Sequence, residues 1–158
     1  MHKSFKMNLN FPKYSFKLRK ENERLQICDD IRKKWVALTP EEWVRQHIIR
    51  YLVEEKKVPK SLIAIEMGIK VNDTSKRCDV VVYDSLAKPV LIVECKAPDV
   101  EITQKTFDQA AGYNLTLKVD YLLITNGISH HFCKVDFESK KYVFYNEIPC
   151  YEDINRSS

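Results

Sequence analysis

Apolar positions along the chain change period several times, and each change marks an element. From Thr39 onward, Val44, Ile48, Tyr51 and Leu52 recur at helical spacing. Thr39 is a good N-cap, Pro40 fits the first helical position, and Glu42 stands where a capping box wants its acid. A helix is therefore predicted from Thr39 to about Lys57, ahead of Val58-Pro59. Three strand-like runs follow: Leu62–Val71, Cys78–Asp84 and Pro89–Cys95, with a polar turn at Asn72–Lys76. The run PVLIVEC is continuously apolar up to Glu94, as in a strand buried on both faces. Only Ser85–Lys88 separates the last two runs, a length that suits a hairpin.

After Pro98 the period is helical again, from about Thr103 to Lys118. Tyr121–Thr125 reads as a strand, Asn126-Gly127 as a tight turn, and Ser129–Val135 as the next strand. Lys141–Glu147 reads as an edge strand. Before the first helix, residues 1–22 read as an extended arm with a short strand at Tyr14–Leu18. Residues 24–38 read as two strands, Leu25–Cys28 and Lys34–Leu38, about a turn at Asp29-Asp30. The order predicts an α/β (α+β) single domain over residues 23–150, a mixed central sheet flanked by helices, with 151–158 as a tail.

Composition narrows this little: 44% apolar and 30% charged residues suit one globular domain. No apolar run reaches the roughly 18 residues of a membrane span, and the basic N-terminus lacks the apolar segment of a secretory signal. A cytoplasmic location is the default. The five cysteines are odd in number and widely spaced, with no metal-binding pair motif, so each is expected to be a small buried hydrophobe. Charge is uneven. Residues 1–60 carry 15 Lys and Arg against 8 Asp and Glu, whereas residues 61–158 carry 11 against 14. A phosphate-facing surface or a solvated lysine-rich face would each account for that excess.

The candidate chemistry lies where a buried strand turns charged. Glu94 and Lys96 are two apart, on one strand face, and Asp79 sits near-opposite Glu94 if the two strands pair as a hairpin. Two converging carboxylates suit a hard divalent cation, and a lysine beside them can stabilise developing negative charge. The same trio would also serve as a partly buried salt-bridge network. On the following helix Gln109 and Tyr113 share a face and can bond a phosphate or a metal-bound water; a polar helix surface is the alternative. Arg45 and Gln46 could reach a phosphate or simply form a polar face. Glu42 is either a capping acid or a supporting residue at the metal. His130 and His131 point to opposite strand faces and read as structural or surface residues.

The stretches LTPEEWVRQ (38–46), RCDVVVYD (77–84), PVLIVECKAP (89–98), ITQKTFDQAAGYN (102–114) and LLITNG (122–127) together resemble the N-terminal nuclease domain of type I restriction enzyme R subunits. More widely they resemble the RecB-like branch of the PD-(D/E)XK superfamily. The resemblance spans roughly residues 12–150 and implies a restriction-endonuclease-like fold. It implies Asp79, Glu94 and the Cys95 carbonyl oxygen as ligands of Mg²⁺ or Mn²⁺, with Glu42 as a further candidate. It implies Lys96 as the catalytic lysine, and Gln109 and Tyr113 as a QxxxY motif that helps position DNA; Arg45 and Gln46, read from the first helix, are the further candidates for positioning DNA. Cys78 stands where relatives often have proline or alanine.

The function this implies is a Mg²⁺-dependent DNA endonuclease of a restriction or defence system. A non-catalytic nucleic-acid-binding or assembly module is the second reading, and a repair or RNA-processing nuclease the third. The sequence carries no motor and no phosphate-binding glycine loop. DNA recruitment is therefore expected from a helicase-like motor or restriction–modification subunits in trans, from a homodimer partner, or from the basic N-terminal third.

Overall fold

The computed structural model describes residues 8–156. A small antiparallel sheet comes first, of strands β1 (Leu18–Glu21), β2 (Arg24–Asp29) and β3 (Lys34–Ala37). Its first turn is Asn22-Glu23, both with positive φ, the backbone that a two-residue hairpin needs. The strand expected over Tyr14–Leu18 begins only at Leu18. Tyr14 and Phe16 instead pack their rings against His47, with Phe16 also against Trp43.

Helix α1 (Pro40–Glu54) is capped by Thr39, whose hydroxyl accepts the Glu42 N–H at 3.0 Å. It stops short of Lys57. Lys57 takes a φ of 61°, and the Val58 N–H returns to the Leu52 carbonyl. Val44, Ile48, Ile49 and Leu52 form its buried face.

The main sheet has the order β4-β5-β6-β7-β8-β9. Strands β4 (Ile63–Val71), β5 (Thr74–Tyr83) and β6 (Pro89–Cys95) are antiparallel neighbours. The polar stretch Asn72–Lys76 supplies only Asn72 and Asp73 to the turn, so Lys76 lies inside β5. Strand β7 (Tyr121–Thr125) runs parallel to β6, reached through helix α2 (Gln104–Leu117). Strands β8 (His130–Asp136) and β9 (Lys141–Tyr145) complete the sheet in antiparallel order.

Helices α1 and α3 (Tyr151–Arg156) cover one face of the sheet and α2 covers the other. Val44, Ile48 and Ile154 pack with Val80, Val82, Leu91 and Val93 on the first face. Phe107, Ala111 and Leu117 meet Ile92, Leu122 and Ile124 on the second. Val90 to Val93 are all at most 1% exposed, which is why β6 reads as an unbroken apolar run.

Both ends of the described residues are built into the domain. Asn10 donates its N–H to the Gly127 carbonyl at 2.7 Å, and Phe11 packs on His130. Tyr151 donates its hydroxyl to the Tyr83 carbonyl at 3.0 Å, and Ile154 is fully buried. Of the turn Asn126-Gly127, only Gly127 takes a positive φ; Asn126 Oδ1 accepts the N–H groups of Ile128 and Ser129. Cys78, Cys95 and Cys133 are buried as expected of small hydrophobes, but Cys28 is half-buried and Cys150 exposed. Among the described residues no helix is long and apolar enough to cross a membrane.

Candidate active site

The site forms where β5 loses its alternation. Val80 and Val82 pack on the α1 side, while Cys78, Val81 and Tyr83 pack on the α2 side. Strict alternation would put Cys78 with Val80, so the strand changes phase at Asp79. The neighbouring ladder pairs Ile65 with Val80 and Met67 with Cys78. Between them Glu66, opposite Asp79, has a φ of 53°. Such a local irregularity bends a strand and re-aims a side chain. Asp79 Oδ2 accepts the backbone N–H of Cys95 at 2.8 Å, and Oδ1 faces Arg45 Nη2 on α1 at 3.3 Å.

Glu94 turns the other way. Its Oε1 accepts from Lys76 Nζ at 2.6 Å, and the same ammonium lies 4.5 Å from the centroid of the Tyr113 ring on α2. The common face anticipated for Asp79 and Glu94 is thus replaced by two carboxylates flanking the end of β6. They still feel each other. Burial raises the Glu94 carboxyl above its ordinary value; Lys76 opposes that rise, and Asp79's charge adds to it.

Lys96 stands between the two sides, its charge opposing the upward shifts of both Glu94 and Glu41. With Glu94, Lys76, Thr106, Gln109 and Tyr113 it lines a cavity of about 220 Å³. Glu94, Lys96, Gln109 and Tyr113 therefore meet around one space, as the strand and helix periods suggest. Asp79, Arg45, Gln46 and Glu42 lie towards α1 instead.

Glu42 is enclosed by donors. Arg32 Nη2, Arg45 Nη1 and Gln46 Nε2 reach its carboxylate at 2.7, 2.8 and 3.0 Å. Arg32 Nε continues the network to Asp29 Oδ2 at 2.6 Å, and Gln46 Nε2 bonds the same oxygen at 3.0 Å. Burial would raise the Asp29 carboxyl, but the bonds from Arg32 and Gln46 outweigh it and hold the group below its ordinary value. Glu42, Arg45 and Gln46 are all buried, and their bonds run to one another, to Arg32, to Asp29 and to Asp79 and not to a surface, while Arg45 Nε is left without a partner. Burial and then Asp79's charge raise the neighbouring Glu41, which Arg45 and Lys96 partly offset. Glu41 is therefore the α1 acid electrostatically tied to Asp79.

Two site residues escape a reading by pattern. Lys76 lies in a polar stretch that resembles a turn. Alternation along β5 from Thr74 sets Lys76 and Cys78 on one face. Glu41 adjoins Glu42, the residue at the capping position of α1. The basic excess of the N-terminal third also shrinks as a surface feature, because the side chains of Arg32 and Arg45 are only 14% and 7% exposed.

Among the described residues no group of three or more histidine, cysteine or acidic side chains is gathered as a ready metal cage. A hard cation of the Mg²⁺ type needs only one or two protein carboxylates, the rest being water and phosphate. Asp79 and Glu94 supply that number of carboxylates from the two sides of the end of β6, each paired with a protein cation, Arg45 and Lys76.

The family profile described as "Type I restriction enzyme R protein N terminus (HSDR_N)" matches residues 40–149. That interval runs from the start of α1 to the loop before α3 and includes every site residue above except Arg32 and Asp29. Among solved structures, a fragment described as an HsdR subunit of a type I restriction enzyme from Vibrio vulnificus YJ016 shares the fold. Its TM-score is 0.54 at 17% identity, over 75% of this chain and 25% of that one. This chain thus spans a quarter of the length of that relative. No curated protein matches the chain significantly.

Proposed function

The chain belongs to the family of type I restriction enzyme R protein N termini, and from that premise we propose that it is a divalent-metal-dependent DNA endonuclease domain. The observation that carries the reading is the grouping of Glu94, Lys96, Gln109 and Tyr113 around one cavity, with Asp79 bonded to the adjoining Cys95 N–H. Asp79 and Glu94 would hold Mg²⁺ or Mn²⁺, with the Cys95 carbonyl oxygen as a further donor. When bound, the ion would supply Lewis-acid charge at a phosphate oxygen and a lowered pKa for water.

The chain's own groups do the rest. The Cys95 N–H and Arg45 fix Asp79 and keep a counter-charge beside it. Lys96 places an ammonium where negative charge develops on the scissile phosphate. Gln109 and Tyr113, both exposed on one face of α2, offer hydrogen bonds to the DNA backbone. DNA would be delivered in the cytoplasm by a motor or by restriction–modification subunits.

One observation favours a second reading, a DNA-binding or assembly module without turnover. Each carboxylate is already neutralised by a protein cation, Asp79 by Arg45 and Glu94 by Lys76. Incubating the protein with supercoiled plasmid and Mg²⁺ or Mn²⁺ separates the two. Cleavage lost in Lys96→Ala supports the nuclease. Binding without cleavage under either ion supports the module.

A further inference from the structure

Lys76 is held by two groups at once. Its ammonium is 2.6 Å from Glu94 Oε1 and 4.5 Å from the Tyr113 ring centroid, and its side chain is 16% exposed. Glu94 is itself only 12% exposed, so this ion pair is shielded from solvent and its mutual attraction is stronger than in a surface pair. A second lysine, Lys96, lines the same cavity. The cavity therefore holds two ammonium groups and a single carboxylate, and a dication on Glu94 would bring a third positive centre. Lys76 and a dication cannot both take the short position at Oε1, because like charges that close repel strongly in a partly buried site. The face of Tyr113 gives Lys76 a second resting place, since an aromatic face attracts a cation.

We propose that Lys76 is an internal counter-cation of the site: it holds Glu94 when no metal is bound, yields Glu94 to a divalent ion, and then offers its ammonium, over Tyr113, to a DNA phosphate. The proposal rests on the metal-site reading of Asp79 and Glu94. It makes Lys76 a positioning residue that couples metal binding to DNA binding. Such coupling is reciprocal: the ion should strengthen DNA binding by the factor by which DNA strengthens ion binding.

The test is Mn²⁺ affinity by calorimetry at mildly alkaline pH, for wild type, Lys76→Met, Lys76→Gln and Glu94→Gln. Both Lys76 variants should bind Mn²⁺ about five- to tenfold more tightly than wild type, within the usual range of coupling factors. Merely damaging the site would weaken binding, so tightening separates this role from a structural one. In parallel, Ca²⁺ should raise the affinity of wild type for a duplex DNA and do so far less in Lys76→Met. Equal or weaker Mn²⁺ affinity in both Lys76 variants, with wild type binding and Glu94→Gln not, would overturn the role of Lys76 alone. Absence of Mn²⁺ binding from every protein would overturn the metal site and this proposal together.

Discussion

Cys95 donates its backbone N–H to Asp79 Oδ2 at 2.8 Å, crossing from β6 to β5 at the residue where β5 changes phase. The bond joins fold and site: the acid that would bind metal also satisfies a strand end. Asp79→Ala should therefore do two things. It should abolish metal-dependent cleavage, and it should cost about 1–3 kcal/mol of stability by leaving the Cys95 N–H without an acceptor. Asp79→Asn keeps an acceptor and should lose cleavage while retaining most of that stability. Urea unfolding of the two variants checks the difference.

The two neighbouring acids on α1 should separate by phenotype. Glu42 is bound by Arg32, Arg45 and Gln46, so Glu42→Gln should destabilise the fold. Glu41, tied electrostatically to Asp79 and Lys96, should affect Mn²⁺ affinity and cleavage when changed to Gln, with little change in melting. A thermal melt and a metal titration on each variant decide the matter. Reversed phenotypes would place Glu42 at the metal.

Arg32 links Asp29 on β2 to Glu42 on α1, both carboxylates being buried. Arg32→Met should cost about 3–5 kcal/mol, because two buried charges lose their common partner. Chemical denaturation measures it. A loss below about 1 kcal/mol, the value of an exposed pair, would show that the network is solvated.

His47 is 6% exposed among Tyr14, Phe16 and Trp43. Burial lowers its pKa below the ordinary 6.5, although the Trp43 carbonyl, 2.8 Å from Nδ1, acts against that. The folded state therefore binds its proton less readily than the unfolded one. Stability from this group is fully present above pH 6.5 and is lost as pH falls from there through the folded value. His47→Phe should flatten that part of the stability profile. His130, also lowered by burial, should supply a second contribution of the same sign. An unchanged profile in His47→Phe would contradict the burial argument.

What the sequence discloses and what it hides have physical causes. Strand β6 is legible to the residue, because Pro89 opens an apolar run that Glu94 interrupts and both faces of the sheet are covered. The pair Gln109 and Tyr113 is legible from helix period alone. The direction of Asp79 is not. It depends on a phase change opposite Glu66, a residue on another strand whose positive φ no local pattern announces. Lys76 is hidden for a related reason: a polar stretch shorter than it looks makes two-residue turn geometry resemble a longer loop. A charge count likewise treats Arg32 and Arg45 as surface, although tertiary contacts spend both inside.

The proposed function makes Asp79 and Glu94 one metal-binding site beside Lys96. A crystal soaked in Mn²⁺ tests it most directly, through the anomalous signal of the ion. A peak is expected within about 2.2 Å of carboxylate oxygens of both Asp79 and Glu94, with Lys76 Nζ withdrawn from Glu94 Oε1. A soaked crystal with no peak there, and Lys76 still bonded to Glu94, would contradict it.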